Sequence, residues 1–268
     1  MKEHYQRTLE RHLALRGRIT HRAAGELLKV SPATVRRIFR EMADRHLALR
    51  YRGGLQQVNF TGNGVFSIPQ RESSQAAEKE ILVQRAVAEF APGALNMIHG
   101  GTTTSKIAKY LTSGSYLIDS VLIAAEISRL HPGGDAPPVI LCGGSLDIRA
   151  GFLHGTRAEE TIRAYCAETF ITSVRGIDGE GLLETDDRAV GVIKAMMAAS
   201  RRTVVVADHQ KFSRKGQCRL CGWERVDLLI TTRCEDNAPL LEELEKKGVR
   251  VVLLPMPVSQ DNKNGRKK

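Results

Sequence analysis

Directly after a short apolar run, LNMI at 95–98, the chain reads HGGTTTSKIAKYL: His99, the glycines Gly100 and Gly101, and the hydroxyls of Thr102, Thr103 and Thr104. Glycines let a backbone approach a ligand closely, threonine hydroxyls donate to an anion, and a helix starting behind them adds free N–H groups and a favourable dipole. That chemistry suits a phosphate. The spacing to a Gly-Lys-Ser/Thr is absent, so the loop is not a nucleotide P-loop; a plain strand-to-helix turn is the competing reading. Three more loops are read with it. CGGSLDIRAG (142–151) carries Gly143 and Gly144, VRGIDGEG (174–181) brings Gly176 and Asp178, and ADHQKF (207–212) offers Asp208 and Lys211. Lys194 lies on an intervening helix, where it either reaches the same crevice or faces water. Several polar loops gathered at one sheet edge suit a small anionic polyol, with lysine neutralising a phosphate while aspartate and backbone groups bind hydroxyls.

A second constellation lies near the start, in SPATVRRIFREM at 31–42. Ser31 is placed to cap a helix with Pro32 at its first position, and Val35, Ile38, Phe39 and Met42 follow the i, i+3, i+4, i+7 spacing of one buried face. Thr34, Arg36, Arg37 and Arg40 are thereby turned outward. Tyr5, Leu9, His12 and Leu13, then Ala23, Ala24, Leu27 and Leu28 behind a capping Thr20, predict two short helices before it, so the arginines are presented by a helix-turn-helix. HLALRYRGGLQQVNF predicts two short strands joined at Gly53-Gly54, a basic hairpin or wing with Arg50 and Arg52 beside its tip. Arg36 and Arg37 are expected at base edges, because the guanidinium fork matches guanine; Arg40, Arg50 and Arg52 are expected at phosphate oxygens.

The elements that must hold these groups follow from composition and pattern. A 268-residue chain, 42% hydrophobic and 26% charged, is an ordinary globular protein with room for two domains. No run approaches the roughly 18 apolar residues of a membrane span, and the first residues lack the apolar segment of a secretory signal, which points to the cytoplasm. Five cysteines fit reduced thiols better than a disulfide framework. Charge is uneven: residues 1–58 carry 13 Lys and Arg against 5 Asp and Glu, the last six residues add four positive charges, and the remainder is slightly acidic within a total of +10. A front segment that basic points to nucleic acid rather than to a membrane surface, for which no amphipathic lipid-facing helix is evident. Behind it, the apolar runs LNMI, VILC, FITSV, TVVVA, DLLIT and VRVVLL alternate with helical stretches. That pattern predicts an α/β domain with a mainly parallel sheet covered on both faces, its ligand beyond the carboxyl ends of the strands. The expected organisation is a winged helix-turn-helix at 1–58, a linker at 59–75, an α/β sensor domain at 76–256 and a basic, disordered tail at 257–268.

The stretch RITHRAAGELLKVSPATVRRIFREMADRHLALRYRGGL resembles the winged helix of the DeoR family of bacterial transcriptional regulators, through Val30, Ser31, Thr34, Val35, Arg36, Arg37, Arg50, Gly53 and Gly54. It departs from the family at Ile38, where aspartate is usual, and at Leu55. The later segments resemble the family's sensor domain through GGTTT at 100–104, Gly143-Gly144, the GID…G segment from Gly176 to Gly181, VIKAMM at 192–197 and ADHQKF. The resemblance implies a fold like that of ribose-5-phosphate isomerase, a phosphorylated sugar or sugar alcohol as effector, and repression of a carbohydrate operon. Three departures bear on the effector: His99 in place of an acidic residue, Asp119 in place of asparagine, and Arg175 in place of a small residue. They imply an altered hydroxyl pattern or charge in the ligand.

The expected partners are a double-stranded operator, a phosphorylated sugar and a second copy of the chain, since two-fold pairing doubles a small winged-helix footprint. No cofactor and no metal is expected. Cys218 and Cys221 form a CxxC, but two further zinc ligands lack a companion motif. The rival reading is an aldose–ketose isomerase with a DNA-binding appendage, in which Asp178, Asp208 or His99 is the base.

Overall fold

Apolar residues at helical spacing build the core of the N-terminal segment. In the computed structural model, which describes residues 2–44, 47–51, 53–56 and 74–257, helix α1 (Lys2–Arg16) contributes Leu9 and Leu13, and α2 (His21–Leu28) contributes Ala24 and Leu28. Helix α3 (Pro32–Asp44) adds Val35, Ile38, Phe39 and Met42, and all of these side chains are buried together. The first helix is longer than the short one expected, because nothing in its sequence stops it before Gly17, which takes a left-handed φ of 75°. Both expected caps form. The Ala23 N–H donates to the Thr20 hydroxyl at 3.2 Å and the Thr34 N–H to the Ser31 hydroxyl at 3.3 Å, each contact contributing about 1 kcal/mol.

The hairpin consists of β2 (Leu49–Tyr51) and β3 (Gly54–Gln56), antiparallel about Gly53. A third strand, β1 (Arg18–Thr20), had no sequence expectation; it pairs with the other edge of β3. Three residues are too few to show alternation, which is why the strand was illegible. Its presence explains Gly54: a Cβ there would overlap the Ile19 carbonyl oxygen and stand 2.7 Å from the Tyr51 hydroxyl. Gly54→Ala is therefore expected to destabilise the N-terminal unit by about 1–3 kcal/mol; an unchanged denaturation midpoint would contradict this strand contact. Arg52, most of the expected linker and the basic tail from 258 onward lie outside the described residues.

The chain divides into two units, Met1–Ser74 and Gln75–Lys268. The second opens with α4 (Ala76–Val87) and is organised by a seven-stranded sheet in which every pair of neighbours is parallel. Its strands are β4 (Leu95–Ile98), β5 (Ser115–Ile118), β6 (Val139–Leu141), β9 (Ala167–Thr172), β12 (Ser200–Ala207), β14 (Leu228–Thr232) and β15 (Val251–Leu254), in the spatial order β15-β14-β12-β9-β4-β5-β6. Each of the six apolar runs contains one of them. The seventh, β5, escaped because its SYLI sequence begins with a polar residue and follows the polar stretch TSG.

Residues alternate between two cores along the strands. Met97, Leu117, Phe170, Val205 and Leu229 pack on one face with residues of α6 (Thr156–Arg163), α7 (Asp187–Ala198) and α8 (Ala238–Lys246). Ile98, Ile118, Ile171, Val204, Val206 and Ile230 pack on the other with Leu82, Val83 and Ala86 of α4 and with α5 (Val121–Leu130). This is the doubly covered parallel sheet expected from runs apolar on both sides. Two segments expected as loops also hold short strands. The hairpin of β7 (Ser145–Asp147) and β8 (Phe152–His154) occupies 142–151 and beyond, while β10 (Gly176–Asp178) and β11 (Gly181–Glu184) pair within a small antiparallel sheet with β13 (Cys218–Gly222).

From β4 the chain proceeds to β5 and β6 on one side, then returns to β9 on the other side of β4. The loops leaving β4 and β9 therefore diverge, and this switch point is where a crevice opens in such sheets. No helix among the described residues is long and apolar enough to cross a membrane.

Candidate functional site

Arg36, Arg37 and Arg40 are exposed on α3, on the side opposite its buried Val35, Ile38, Phe39 and Met42. Arg50 is exposed on β2, and Gly53 turns the hairpin at φ 114°. Ser31 and Thr34 share a hydroxyl contact at 3.0 Å at the start of the helix, so their side chains are occupied with its cap. The surface thus offers cationic groups on a rigid helix with a basic hairpin in the same unit.

In the sheet domain, the loop after β4 is held from behind. His99 is buried, its Nδ1 lies 2.6 Å from Asp119 Oδ2, and the second carboxyl oxygen of Asp119 accepts the Gly100 N–H at 2.7 Å. Asp119 follows β5, so two adjacent strand ends are clamped together. Burial pushes the His99 pKa down, but the charge and hydrogen bond of Asp119, aided by Glu184, outweigh it and leave the imidazole above its ordinary value. A histidine raised in this way contributes stability that is fully present below its unfolded pKa and is lost as pH rises through the folded one. Asp119→Asn is expected to move the His99 titration midpoint downward, followed by NMR of the ring; an unmoved midpoint contradicts the clamp. Phe152 of β8 meets the ring edge-on at 5.7 Å, and the Leu153 N–H donates to the Asp119 carbonyl, which seats the hairpin against this strand end.

Thr104 and Thr103 are buried, and the Thr104 hydroxyl donates to the His99 carbonyl at 2.7 Å, bending the loop on itself. Thr102 is half-buried and accepts from Lys79 Nζ at 3.4 Å. A 3₁₀ turn, Thr104–Tyr110, follows in place of the expected α-helix, so the full helix dipole anticipated behind the loop is not developed. Across the switch point, Asp208 is buried and caps a second 3₁₀ turn through the Gln210 N–H at 3.2 Å. That turn carries Lys211, half-buried, whose pKa is brought down to about 7. Burial is the main cause; Arg214 and Lys79 add to it, while Asp208 and Glu184 oppose it. Arg175, after β9, is likewise lowered by burial and by Arg214, against the pull of Glu184. Glu184 ends β11, where its side chain accepts the Arg175 N–H at 3.2 Å. Lys211 thus feels the positive charges of Arg214 and Lys79, and Arg175 that of Arg214, each offset by Glu184 and Lys211 also by Asp208, with Lys79 reaching the Gly/Thr loop at Thr102.

Not every expected residue joins them. Asp178 receives both Nη atoms of Arg219 at 2.9 Å and caps the β10–β11 turn through the N–H groups of Glu180 and Gly181. Those contacts hold its pKa below the usual range, first through Arg219. Lys194 is exposed on α7 and its charge acts on Cys221 of β13, so of the two alternatives it faces water. Gly144, at φ 100°, turns the chain where a Cβ would sit 2.6 Å from the His154 carbonyl oxygen; Gly143 precedes it, and together they fold the hairpin back. Gly176 opens β10 with its Cα against the Arg214 backbone. Cys218 and Cys221 are free thiols on β13, the latter pushed up to about 11 by burial. No group of three or more His, Cys, Asp or Glu among the described residues is arranged to hold a metal.

Glu78, Lys79, Arg214 and Glu184 had no sequence expectation. A signal for the first two existed: Glu78 and Lys79 lie four positions before Leu82 and Val83 respectively, on the stripe of α4 that faces the sheet. Charged residues on a buried stripe are functional candidates. Arg214 carries no such mark, because its neighbours Ser213 and Lys215 are polar, and Glu184 closes a strand of only four residues before a polar turn.

The two units match two family models. Residues 6–60 match the DeoR-like helix-turn-helix domain, and residues 74–233 match the DeoR C terminal sensor domain. The chain belongs to the DeoR family. This DeoR-family chain is accordingly a DNA-binding transcriptional regulator. It is 31% identical over 245 residues to the HTH-type transcriptional repressor CsqR of Escherichia coli K12, covering 90% of this chain and 91% of the relative. It is 29% identical over 215 residues to the Glycerol-3-phosphate regulon repressor of the same organism, covering 77% and 81% of the two chains. Among solved structures, ribose 5-phosphate isomerase A of Methanocaldococcus jannaschii aligns over 52% of this chain and 55% of its own, at 11% identity and a TM-score of 0.37. So distant a likeness says nothing about chemistry.

Proposed function

We propose that this DeoR-family regulator is a cytoplasmic, homo-oligomeric repressor that reads its operator through residues 1–58. In this reading the crevice at the β4/β9 switch point holds a phosphorylated sugar or sugar alcohol that changes operator affinity. The observation that carries the effector class is the cationic set Lys79, Arg175, Lys211 and Arg214 beside the Gly100–Thr104 loop. Cations crowded at one crevice are relieved by an anion, and a phosphoester supplies one with hydroxyls attached. His99, Asp208 and the loop backbone then meet the hydroxyls. A regulon named for glycerol 3-phosphate in one relative supports the phosphoester. Such a ligand alters DNA binding only through unequal affinity for two arrangements of the protein.

A thermal-shift screen of matched phosphorylated and free sugars tests this reading, followed by displacement of a duplex selected from a random pool. Stabilisation by phosphoesters alone, together with a changed duplex affinity, is expected; equal shifts from the free sugars would overturn it. The isomerase reading has the His99–Asp119 pair in its favour as a base held by a carboxyl group. Asp178, engaged by Arg219, is a poor base. Turnover of pentose or hexose phosphates lost in Asp208→Asn would favour the enzyme.

A further inference from the structure

His99 is 5% exposed and stands at the switch point directly after β4, its backbone N–H bonded to the Ile171 carbonyl of β9 at 3.2 Å. Its two ring nitrogens have different surroundings. Asp119 is fully enclosed and already accepts the Gly100 N–H with one carboxyl oxygen, so its other oxygen accepts the Nδ1–H of the ring at 2.6 Å. Nε2 makes no hydrogen bond to any described residue, yet it is not sealed from solvent. A polar ring atom left open in so buried a side chain faces the crevice. Glu184 acts on His99, Lys211 and Arg175 alike, so one ligand can span from the imidazole to the cations opposite. What His99 can bind follows from what its neighbours have spent. Both Asp119 oxygens are occupied, and the buried Thr104 hydroxyl donates to the His99 carbonyl. A sugar hydroxyl needs an acceptor for its hydrogen, and neither side chain offers one at this end of the crevice. The Asp119 charge holds the ring toward its protonated form, in which Nε2–H is a donor. Its counterpart is then an oxygen without a hydrogen, and an anionic oxygen makes the stronger bond.

We propose that the effector carries a carboxylate as well as its phosphate, a phosphorylated sugar acid, and that His99 Nε2 makes the specificity-determining contact to that carboxylate. The inference rests on the phosphoester reading above and deepens it: at the hydroxyl-bearing end of the ligand, the oxygen opposite His99 belongs to a carboxyl group. The phosphate lies with Lys211 across the switch point, and the hydroxyls between the two ends fall to Asp208 and the loop backbone. A plain polyol phosphate places an uncharged CH2OH against the imidazole and forfeits the charge-assisted bond.

Two matched pairs, titrated calorimetrically into the full chain, test this: 6-phosphogluconate against sorbitol 6-phosphate, and 3-phosphoglycerate against racemic glycerol 3-phosphate. Within each pair the carbon skeleton and the phosphate are kept while a carboxylate replaces a CH2OH. In at least one pair the acid is expected to bind about tenfold more tightly or better, the worth of one charge-assisted hydrogen bond. His99→Asn, whose amide can still donate to Asp119, loses most of that preference because the acid is weakened far more than the alcohol. A merely structural role would weaken both members alike. If His99→Asn fails to fold, the nitrogen-15 shift of His99 Nε2 is followed in the parent, where it moves with the acid and stays with the alcohol. An acid no tighter than its alcohol in both pairs, a preference that survives His99→Asn, or an Nε2 shift indifferent to the carboxylate would overturn the proposal. Saturable binding of inorganic phosphate without any preference for the acids would overturn the carboxylate contact alone. No saturable binding of phosphate or of any of the four phosphoesters would overturn the phosphoester reading with it.

Discussion

Arg36→Ala/Arg37→Ala lowers operator affinity by about two to three orders of magnitude at fixed salt, as expected when two bidentate base contacts of roughly 1–3 kcal/mol each are removed. Both side chains are exposed on α3, and the helix keeps its buried face and its Ser31 cap without them. The melting midpoint of the double variant should therefore match the parent. Arg40→Ala serves as the contrast. A phosphate contact positions without specifying, so its loss weakens all duplexes alike and reduces the salt dependence by about one released counterion. Fluorescence anisotropy on a selected duplex and on a scrambled one separates the cases. Unchanged discrimination between the two in the double variant would remove Arg36 and Arg37 from the base-reading role.

Phosphoester affinity is expected to fall as pH rises above 7, by up to about tenfold per unit, and to lose that dependence in Lys211→Met. The cause is the Lys211 ammonium, brought down to about 7 chiefly by burial and further by Arg214 and Lys79. With the folded value below the unfolded one of about 10.4, the native protein binds fewer protons between them. Stability of the empty protein accordingly increases with pH across that window. A bound anion reverses the balance, because it favours the charged lysine, and binding at pH 8 must take up a proton. Calorimetry in two buffers of different ionisation enthalpy measures that uptake directly. A parent that takes up no proton at pH 8, or a Lys211→Met variant with the parent's pH profile, would remove Lys211 from the anion site.

Legibility followed from how local each signal is. The recognition helix was readable because cap, proline and apolar spacing all fall within twelve consecutive residues, and its exposed arginines are a direct consequence of that spacing. The parallel sheet was readable for a similar reason: strands covered on both faces must be apolar throughout, and six such runs are visible along the chain. β1 and β5 were not, since β1 has a single apolar residue between Arg18 and Thr20 and β5 opens on a serine, so neither reads as a continuous apolar run. Lys194 illustrates the converse. Its type and neighbourhood suited an anion, but helix rotation directs it to water.

What the amino-acid order determined on its own was the division into a basic reader and a nearly neutral α/β receptor, the caps and buried stripes of the helices, and the Gly/Thr loop at a strand end. The tertiary structure decided which charges share a crevice. Lys79, Arg175, Glu184 and the Lys211–Arg214 segment are separated along the chain, and only the strand order β12-β9-β4, with α4 laid beneath it, brings their fields onto one another. Coulomb energy depends on distance and burial in space, and neither quantity is written along a chain.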